Sequence, residues 1–248
     1  MKVLCIGAGP SGLVTAKILL EADPTHEVII VEKDATLGGT FHNKSYEDGR
    51  LVSSKYLTMF SDFRRPHAED HMTVKDYVKY LHEYTDHHGL RDRIKFETEV
   101  VELQQHAADG GGGYTVELRD LAGGGDATTR VAFDAVAVCS GLHNYPRIPV
   151  FPGQEHFRGR ILHSSEYKES KIFEGKRVLI LGTGETSFDI GYAAASHGAS
   201  AVTMATRHGF VSVPSAFHGT GLPPLDCLVS SQSFLALFSS GWPTHLPA

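Results

Sequence analysis

Short apolar runs, separated by a stretch with helical character, set the plan of this chain. Residues 3–6 are a continuous apolar run of strand length, and residues 28–31 are a second, within a strand expected over 27–31. Residues 13–22 between them are rich in Ala and Leu and predict a helix, and residues 7–12 form the turn that leads into it. A strand, a helix and a strand in that order predict a βαβ unit, because parallel strands need a crossover connection. Farther on, Val74, Tyr77, Val78, Leu81 and Tyr84 recur at helical spacing and predict a helix over residues 74–88. Residues 96–103, 114–119 and 129–138 predict strands. The glycine clusters at 110–113 and 123–125 read as solvated hairpin loops, since glycine runs maximise backbone freedom and add no core.

After a proline-rich passage from Tyr145 to Gly153, suited to a domain crossing, the plan starts over. Residues 177–181 predict a strand, 182–187 a glycine turn, 188–197 a helix and 201–205 a strand. The expected fold is therefore α/β, with two Rossmann-like dinucleotide-binding units of which the second is incomplete. The expected division is residues 1–150 for the first unit with a β-hairpin insertion, 151–229 for the partial second unit, and 230–248 for a tail. The tail carries Phe234, Leu235, Leu237, Phe238 and Trp242. An unfinished parallel sheet has an open edge, so self-association is a further expectation.

Composition narrows the function classes. The 248 residues are 41% hydrophobic and 21% charged with a net charge of -6, which argues against a basic nucleic-acid footprint. No apolar run approaches the roughly 18 residues of a membrane-spanning helix. The chain opens on strand-like residues rather than a charged lead and an apolar stretch, so no secretory signal is expected and a cytoplasmic location is the default. Cys5, Cys139 and Cys227 are too scattered for a disulfide framework or a zinc site. The fifteen histidines complete no tightly spaced ligand pattern and read as solvated surface, so no metal is expected.

The candidate chemistry lies in the two glycine turns. The first is a full G-x-G-x-x-G: Gly7 permits the tight turn, Gly9 admits a pyrophosphate, and Gly12 lets helix and strand pack closely. Glu32 stands twenty residues beyond Gly12 at the end of the second strand, where a carboxylate can accept ribose hydroxyls. In the second turn Gly182 and Gly184 are followed by Ser187 in place of the third glycine. Counted from the first glycine, the position matching Glu32 is Arg207, with His208 beside it. A carboxylate repels a 2′-phosphate and a guanidinium binds it, so the first unit is expected to prefer FAD and the second NADPH.

The segment from Phe157 to Tyr167, with Gly159 and His163 between, matches the F-x-G-x-x-x-H-x-x-x-Y signature, and with it the chain resembles the flavin-containing monooxygenases. Gly38-Gly39-Thr40-Phe41 is similar to their G-G-x-W loop, and the wording around Ser53-Ser54-Lys55 is similar to fungal members. The resemblance runs to about Pro224 and is lost beyond Leu228. It implies that NADPH reduces the flavin, that oxygen is taken up as a flavin hydroperoxide, and that a nucleophilic nitrogen or sulfur of a small molecule is oxygenated. The cofactor carries that chemistry, which fits the lack of a triad, paired carboxylates or metal box, and no catalytic side chain is assigned. Tyr167-Lys168 departs from the Trp-containing signature of Baeyer–Villiger enzymes.

The implied cofactor contacts in the first half are Gly7, Gly9, Pro10, Ser11, Gly12, Glu32, Lys33, Gly39, Thr40, Phe41, Ser53, Val100, Ser140 and Gly141. In the second half they are Gly182, Gly184, Glu185, Thr186, Ser187 and Arg207. Two departures leave alternatives open. Val52 occupies the place of an active-site Asn in many members, which opens a reading as a flavin reductase or oxidase that releases hydrogen peroxide. Family members are also longer, finishing the second unit and returning to the first, so a catalytically defective nucleotide-binding module is the other alternative.

Overall fold

Strand β1 (Lys2–Ile6) lies at the centre of the first sheet because its side chains are apolar on both faces, with Val3, Leu4 and Cys5 all buried. β2 (Glu27–Val31) pairs with it in parallel on one side, and β7 (Ala135–Val138) does so on the other. β3 (Ile94–Lys95) pairs with β2, giving the all-parallel order β3-β2-β1-β7. Helix α1 (Pro10–Ala22) makes the crossover and buries Leu13 and Ala16 completely. A fully buried leucine contributes roughly 1.5–3 kcal/mol and an alanine methyl less, so this short unit has a real core.

The computed structural model describes residues 1–107, 112–124, 127–209 and 223–229; the tail expected at 230–248 lies outside them. The chain divides into two compact units, Met1–Ser45 with Val74–Tyr167, and Tyr46–Thr73 with Lys168–Ala248. The segment 46–73 thus groups with the later half of the chain, although it interrupts the earlier one.

In the first unit an antiparallel sheet of β4 (Thr98–Gln105), β5 (Tyr114–Asp120) and β6 (Thr128–Phe133) joins the parallel one. Leu4 and Val31 of the parallel sheet share one cluster with Val116, Leu118 and Phe133 of the antiparallel sheet. The expected strand over 129–138 is two strands in two different sheets, broken at Asp134. The Asp134 N–H donates to the Lys2 carbonyl at 2.9 Å, and its carboxylate accepts the Lys2 N–H at 2.6 Å. The pattern could not show this break, because apolar residues line both strands and nothing local marks the change of partner. The expected strand over 96–103 is β4, which starts two residues later, while the short β3 just before it was not predicted. The chain turns between them at Glu97, whose φ of +50° is left-handed. Helix α4 (Val74–His87) buries Tyr77, Leu81 and Tyr84, as the spacing predicts, and Tyr80 with them, while Val74 and Val78 are half-buried.

The second unit pairs β8 (Arg177–Leu181) in parallel with β9 (Ala201–Ala205), connected by α5 (Glu185–Ser196). Ile190, Ala193 and Ala194 of α5 are buried, and Gly191 lets it approach the strands. A Cβ at Gly191 would stand 3.4 Å from the Ile180 Cδ1 and 3.5 Å from the Met204 Sδ. The segment 46–73 is tied to this unit by polar contacts: Ser170 donates its N–H and hydroxyl to the Glu47 carboxylate, and the Tyr46 hydroxyl donates to Asp189. No helix among the described residues is long and apolar enough to cross a membrane.

Candidate cofactor site

The first glycine turn is built so that only glycine fits at two of its three motif positions. Gly7 has φ +106°, and a Cβ there would lie 2.6 Å from the Cys139 carbonyl oxygen. A Cβ on Gly12 would lie 1.9 Å from the Gly7 carbonyl oxygen, inside bonding contact. The turn is anchored by the Gly7 N–H donating to the Val31 carbonyl at 2.8 Å. Gly9 is the N-cap of α1; no side chain caps it, and no acid stands in the first turn. Pro10 opens the helix with φ already suited to it, and Ser11 is exposed beside it. An uncapped helix N-terminus presents N–H groups and the positive end of the dipole, the arrangement an anion requires. The helix therefore starts inside the glycine motif, three residues before the periodicity indicated.

A second loop closes over this one. Gly38, at φ +117°, donates its N–H to the Ala8 carbonyl at 3.0 Å, and Gly39 has φ +55°. A Cβ on Gly39 would stand 3.4 Å from the Gly9 Cα, so two bare backbones face each other at the mouth of α1. Thr40 and Phe41 open the short helix α2 (Thr40–Asn43). Thr40 is exposed, and Phe41 lies edge-on to Tyr77 with ring centroids 4.8 Å apart.

Glu32 sits at the head of this cleft and is only 6% exposed. Its two carboxylate oxygens accept the N–H of Ala8 at 2.8 Å and of Asp34 at 3.0 Å. Those bonds fix its orientation and leave lone pairs for further donors, since a carboxylate offers about four acceptor sites. Lys33 is exposed next to it. Ser140 and Gly141 follow β7, and the Ser140 Cα is 3.7 Å from where a Gly7 Cβ would be. Gly7, Gly9, Gly12, Glu32, Gly39 and Ser140 are thus brought together at the carboxyl ends of β1, β2 and β7, where open α/β sheets bind ligands. Val100 stands apart from them, on β4 and packed against the hydrophobic cluster.

Ser53 belongs to the second unit and is exposed, as is Val52 at 59%. Ser54 next to them is fully buried at the start of α3 (Lys55–Thr58) and donates its N–H to Asp226 at 2.6 Å. Burial pushes the Asp226 carboxyl up. The hydrogen bonds from Ser54 and Cys227, with His71 nearby, outweigh that and hold it below the usual carboxylate range. Lys55 donates to the carbonyls of Pro66 and Ala68 at 2.9 and 2.6 Å. Asp226 had no local signal in the sequence, because the contact spans 172 positions.

The second turn repeats the first with two changes. Gly182 has φ +123° and donates its N–H to the Ala205 carbonyl at 2.9 Å, as Gly7 does to Val31. Ser187 stands where Gly12 stands, and its Oγ would be 3.3 Å from a Gly182 Cβ. This turn is wider, and it accommodates the side chain that the first would reject. The strand register also corrects the equal count. Ile6 pairs with Val31 and Leu181 with Ala205, so the residue in the place of Glu32 is Thr206, and Arg207 lies one position beyond. The connection in the second unit is one residue shorter, which a count from the first glycine cannot detect. The Thr206 hydroxyl donates to the His208 carbonyl and shapes the turn that carries the exposed Arg207.

Gly184 and Thr186 are exposed, and a Cβ on Gly184 would meet nothing within 4 Å, but Glu185 places an acid in the first turn of α5, which α1 lacks. A carboxylate there offsets the helix dipole and weakens the pull on a phosphate. Glu185→Gln is therefore expected to tighten binding of a dinucleotide phosphate at this turn about two- to fivefold. Titration of NADP+ against both forms measures it, and equal or weaker binding by the Gln form would contradict the placement.

Comparison with known proteins gives the same reading from another direction. A family model described as flavin-binding monooxygenase-like matches residues 1–246, extending past Leu228, the expected end of the resemblance. The chain is similar to a monooxygenase, PC-14, from Penicillium crustosum, 40% identical over 231 residues that cover 90% of this chain and 38% of that one. It is similar to an N-oxide-forming dimethylaniline monooxygenase from Mus musculus, 35% identical over 220 residues, covering 84% of this chain and 40% of that one. Among solved structures it is similar to the S-allyl-L-cysteine S-oxygenase of Allium sativum, with a TM-score of 0.73 and 25% identity. That match covers 88% of this chain and 54% of the other. The chain spans about two fifths of the length of these two curated relatives. With two glycine elbows of dinucleotide-binding form and a profile match along almost its whole length, the chain belongs to the flavin-binding monooxygenase-like family.

Proposed function

We propose that this chain is the nucleotide-binding portion of an FAD- and NADPH-dependent monooxygenase that oxygenates a nucleophilic nitrogen or sulfur of a small molecule. The observation that carries the reading is the cradle at α1, where the Gly9 and Gly39 backbones face each other across an uncapped helix N-terminus. The uncapped N-terminus beside these two bare backbones suits a pyrophosphate, because its free N–H groups and the positive end of the dipole favour negative charge. Glu32, held by Ala8 and Asp34, turns its remaining lone pairs to ribose hydroxyls and disfavours a phosphorylated ribose. At the second turn Thr206 and Arg207 take the corresponding roles, and the guanidinium selects the 2′-phosphate of NADPH. Bound FAD would accept hydride from NADPH and activate oxygen, while the protein positions it and excludes water. The nitrogen and sulfur preference rests on the relatives, one named as N-oxide-forming and another as an S-oxygenase.

Val52 favours a second reading of the outcome. An exposed valine cannot donate a hydrogen bond, so oxygen activated at the flavin would escape as hydrogen peroxide. One experiment covers both readings: purify the chain, measure retained FAD, and add NADPH with a tertiary amine or thioether. Bound FAD with NADPH consumption supports the flavoenzyme, and the ratio of oxygenated product to peroxide separates monooxygenase from oxidase. A chain that retains no flavin and consumes no NADPH is the defective module.

A further inference from the structure

Helix α2 is only four residues long, yet polar contacts tie it to both sides of the first sheet. Its base is fixed: Gly38 donates its N–H to the Ala8 carbonyl at 3.0 Å, and Phe41 lies against Tyr77 of α4. On the β2 side, the Asn43 side-chain amide donates to the Asp34 carboxylate, and the Asp34 N–H donates to Glu32 at 3.0 Å. On the β7 side, the Lys44 ammonium donates to the carbonyls of His143 and Asn144, the second at 2.7 Å. Those two bonds span 99 and 100 positions of the chain. All of these residues lie in the first unit.

The loop that Lys44 holds begins at Ser140 and Gly141, beside Gly7. Packing does little to hold it: Leu142 and Tyr145 are each 93% exposed, and His143 and Asn144 are exposed as well. Polar contacts shape it instead. The Asn144 side-chain amide donates to the Ser140 carbonyl at 2.6 Å and folds the loop on itself, and Lys44 draws the folded loop to α2. An ordinary surface lysine keeps its ammonium in water, because the group is strongly hydrated. Lys44 is half-buried, and two consecutive main-chain carbonyls face its one charge. Hydrogen bonds from an ionised donor are roughly twice as strong as neutral ones. The tie thus joins two loops that border the cradle, one at Gly38 and Gly39 and the other at Ser140 and Gly141.

We propose that Lys44 is a positioning residue of the cradle, whose ammonium holds the loop after β7 in place and so slows the escape of bound FAD. The inference rests on the reading of the first elbow as an FAD site. Lys44 acts through Ser140 and Gly141 rather than on the cofactor itself. Without its ammonium, α2 keeps its contacts with Ala8, Tyr77 and Asp34, while the loop after β7 loses its tie to α2. The fold survives, and one border of the cradle loosens.

The test uses the whole chain and three variants. Lys44→Met keeps the stem and removes the donors, Lys44→Arg restores donors, and Lys79→Met removes an exposed charge from α4. Hydrogen exchange of the cofactor-free chain is read first over residues 140–145, with the thermal midpoint alongside. Release of FAD is then timed by the recovery of flavin fluorescence on dilution. Lys44→Met is expected to speed both loop exchange and FAD release about tenfold, with the cofactor-free midpoint unchanged. Lys44→Arg is expected to bring both back to within about threefold of the parent, and Lys79→Met to match the parent. Unchanged loop exchange and FAD release in Lys44→Met would overturn the role of Lys44 and leave the FAD reading standing. A lowered midpoint with faster release that arginine does not restore would overturn it too, since that marks a merely structural lysine. A parent chain that holds no FAD, whatever its loop exchange, would overturn the FAD reading and this inference with it.

Discussion

Gly12→Ala is expected to give a chain that holds no FAD and is recovered mostly insoluble. A Cβ at residue 12 would lie 1.9 Å from the Gly7 carbonyl oxygen, which belongs to backbone and cannot swing away as a side-chain tip could. Gly7 is itself pinned, with its N–H on the Val31 carbonyl at 2.8 Å and the Cys139 carbonyl oxygen 2.6 Å from where its own Cβ would be. Relief therefore requires moving α1 off β1, where Leu13 and Ala16 are fully buried. The loss should reach at least about 3 kcal/mol, the upper end of overpacking costs, in a core with little to spare. Gly184→Ala is the control, because a Cβ there meets nothing within 4 Å. Soluble yield, thermal midpoint and bound flavin are the measurements. A Gly12→Ala chain that melts like the parent and stays yellow would show that the elbow does not have the form described.

Arg207→Ala should cost kcat/KM for NADPH about tenfold to a hundredfold, the worth of charge-assisted hydrogen bonds to a phosphate. The same change should leave NADH within about twofold, since only the 2′-phosphate is lost as a partner. Arg207 is exposed at a strand end, so its removal should not disturb folding, and the effect can be read as binding. If turnover is too slow to measure, the dissociation constants of NADP+ and NAD+ carry the same comparison. Equal losses for both nucleotides would remove the 2′-phosphate assignment. Thr206 sharpens the test, because the register puts its hydroxyl where Glu32 stands in the first unit. A neutral hydroxyl at that place tolerates a phosphate that a carboxylate would repel, so the preference of the second turn has two sources.

The sequence alone determined the local structure whose cause is local. Apolar runs and helical spacing located β1, β2, β8, β9 and the buried face of α4. Glycine spacing identified both elbows, since a left-handed turn and a backbone collision leave few residue types that fit. Tertiary structure decided whatever depends on which distant segment lies alongside. It broke one apparent strand at Asp134 between two sheets, set Gly39 against Gly9, and drew 46–73 to the later unit. It placed Asp226 on Ser54 and Thr206 opposite the place of Glu32. Periodicity records how a side chain alternates along its own segment, whereas a sheet partner, a register and a long-range hydrogen bond are choices between segments that no single segment encodes.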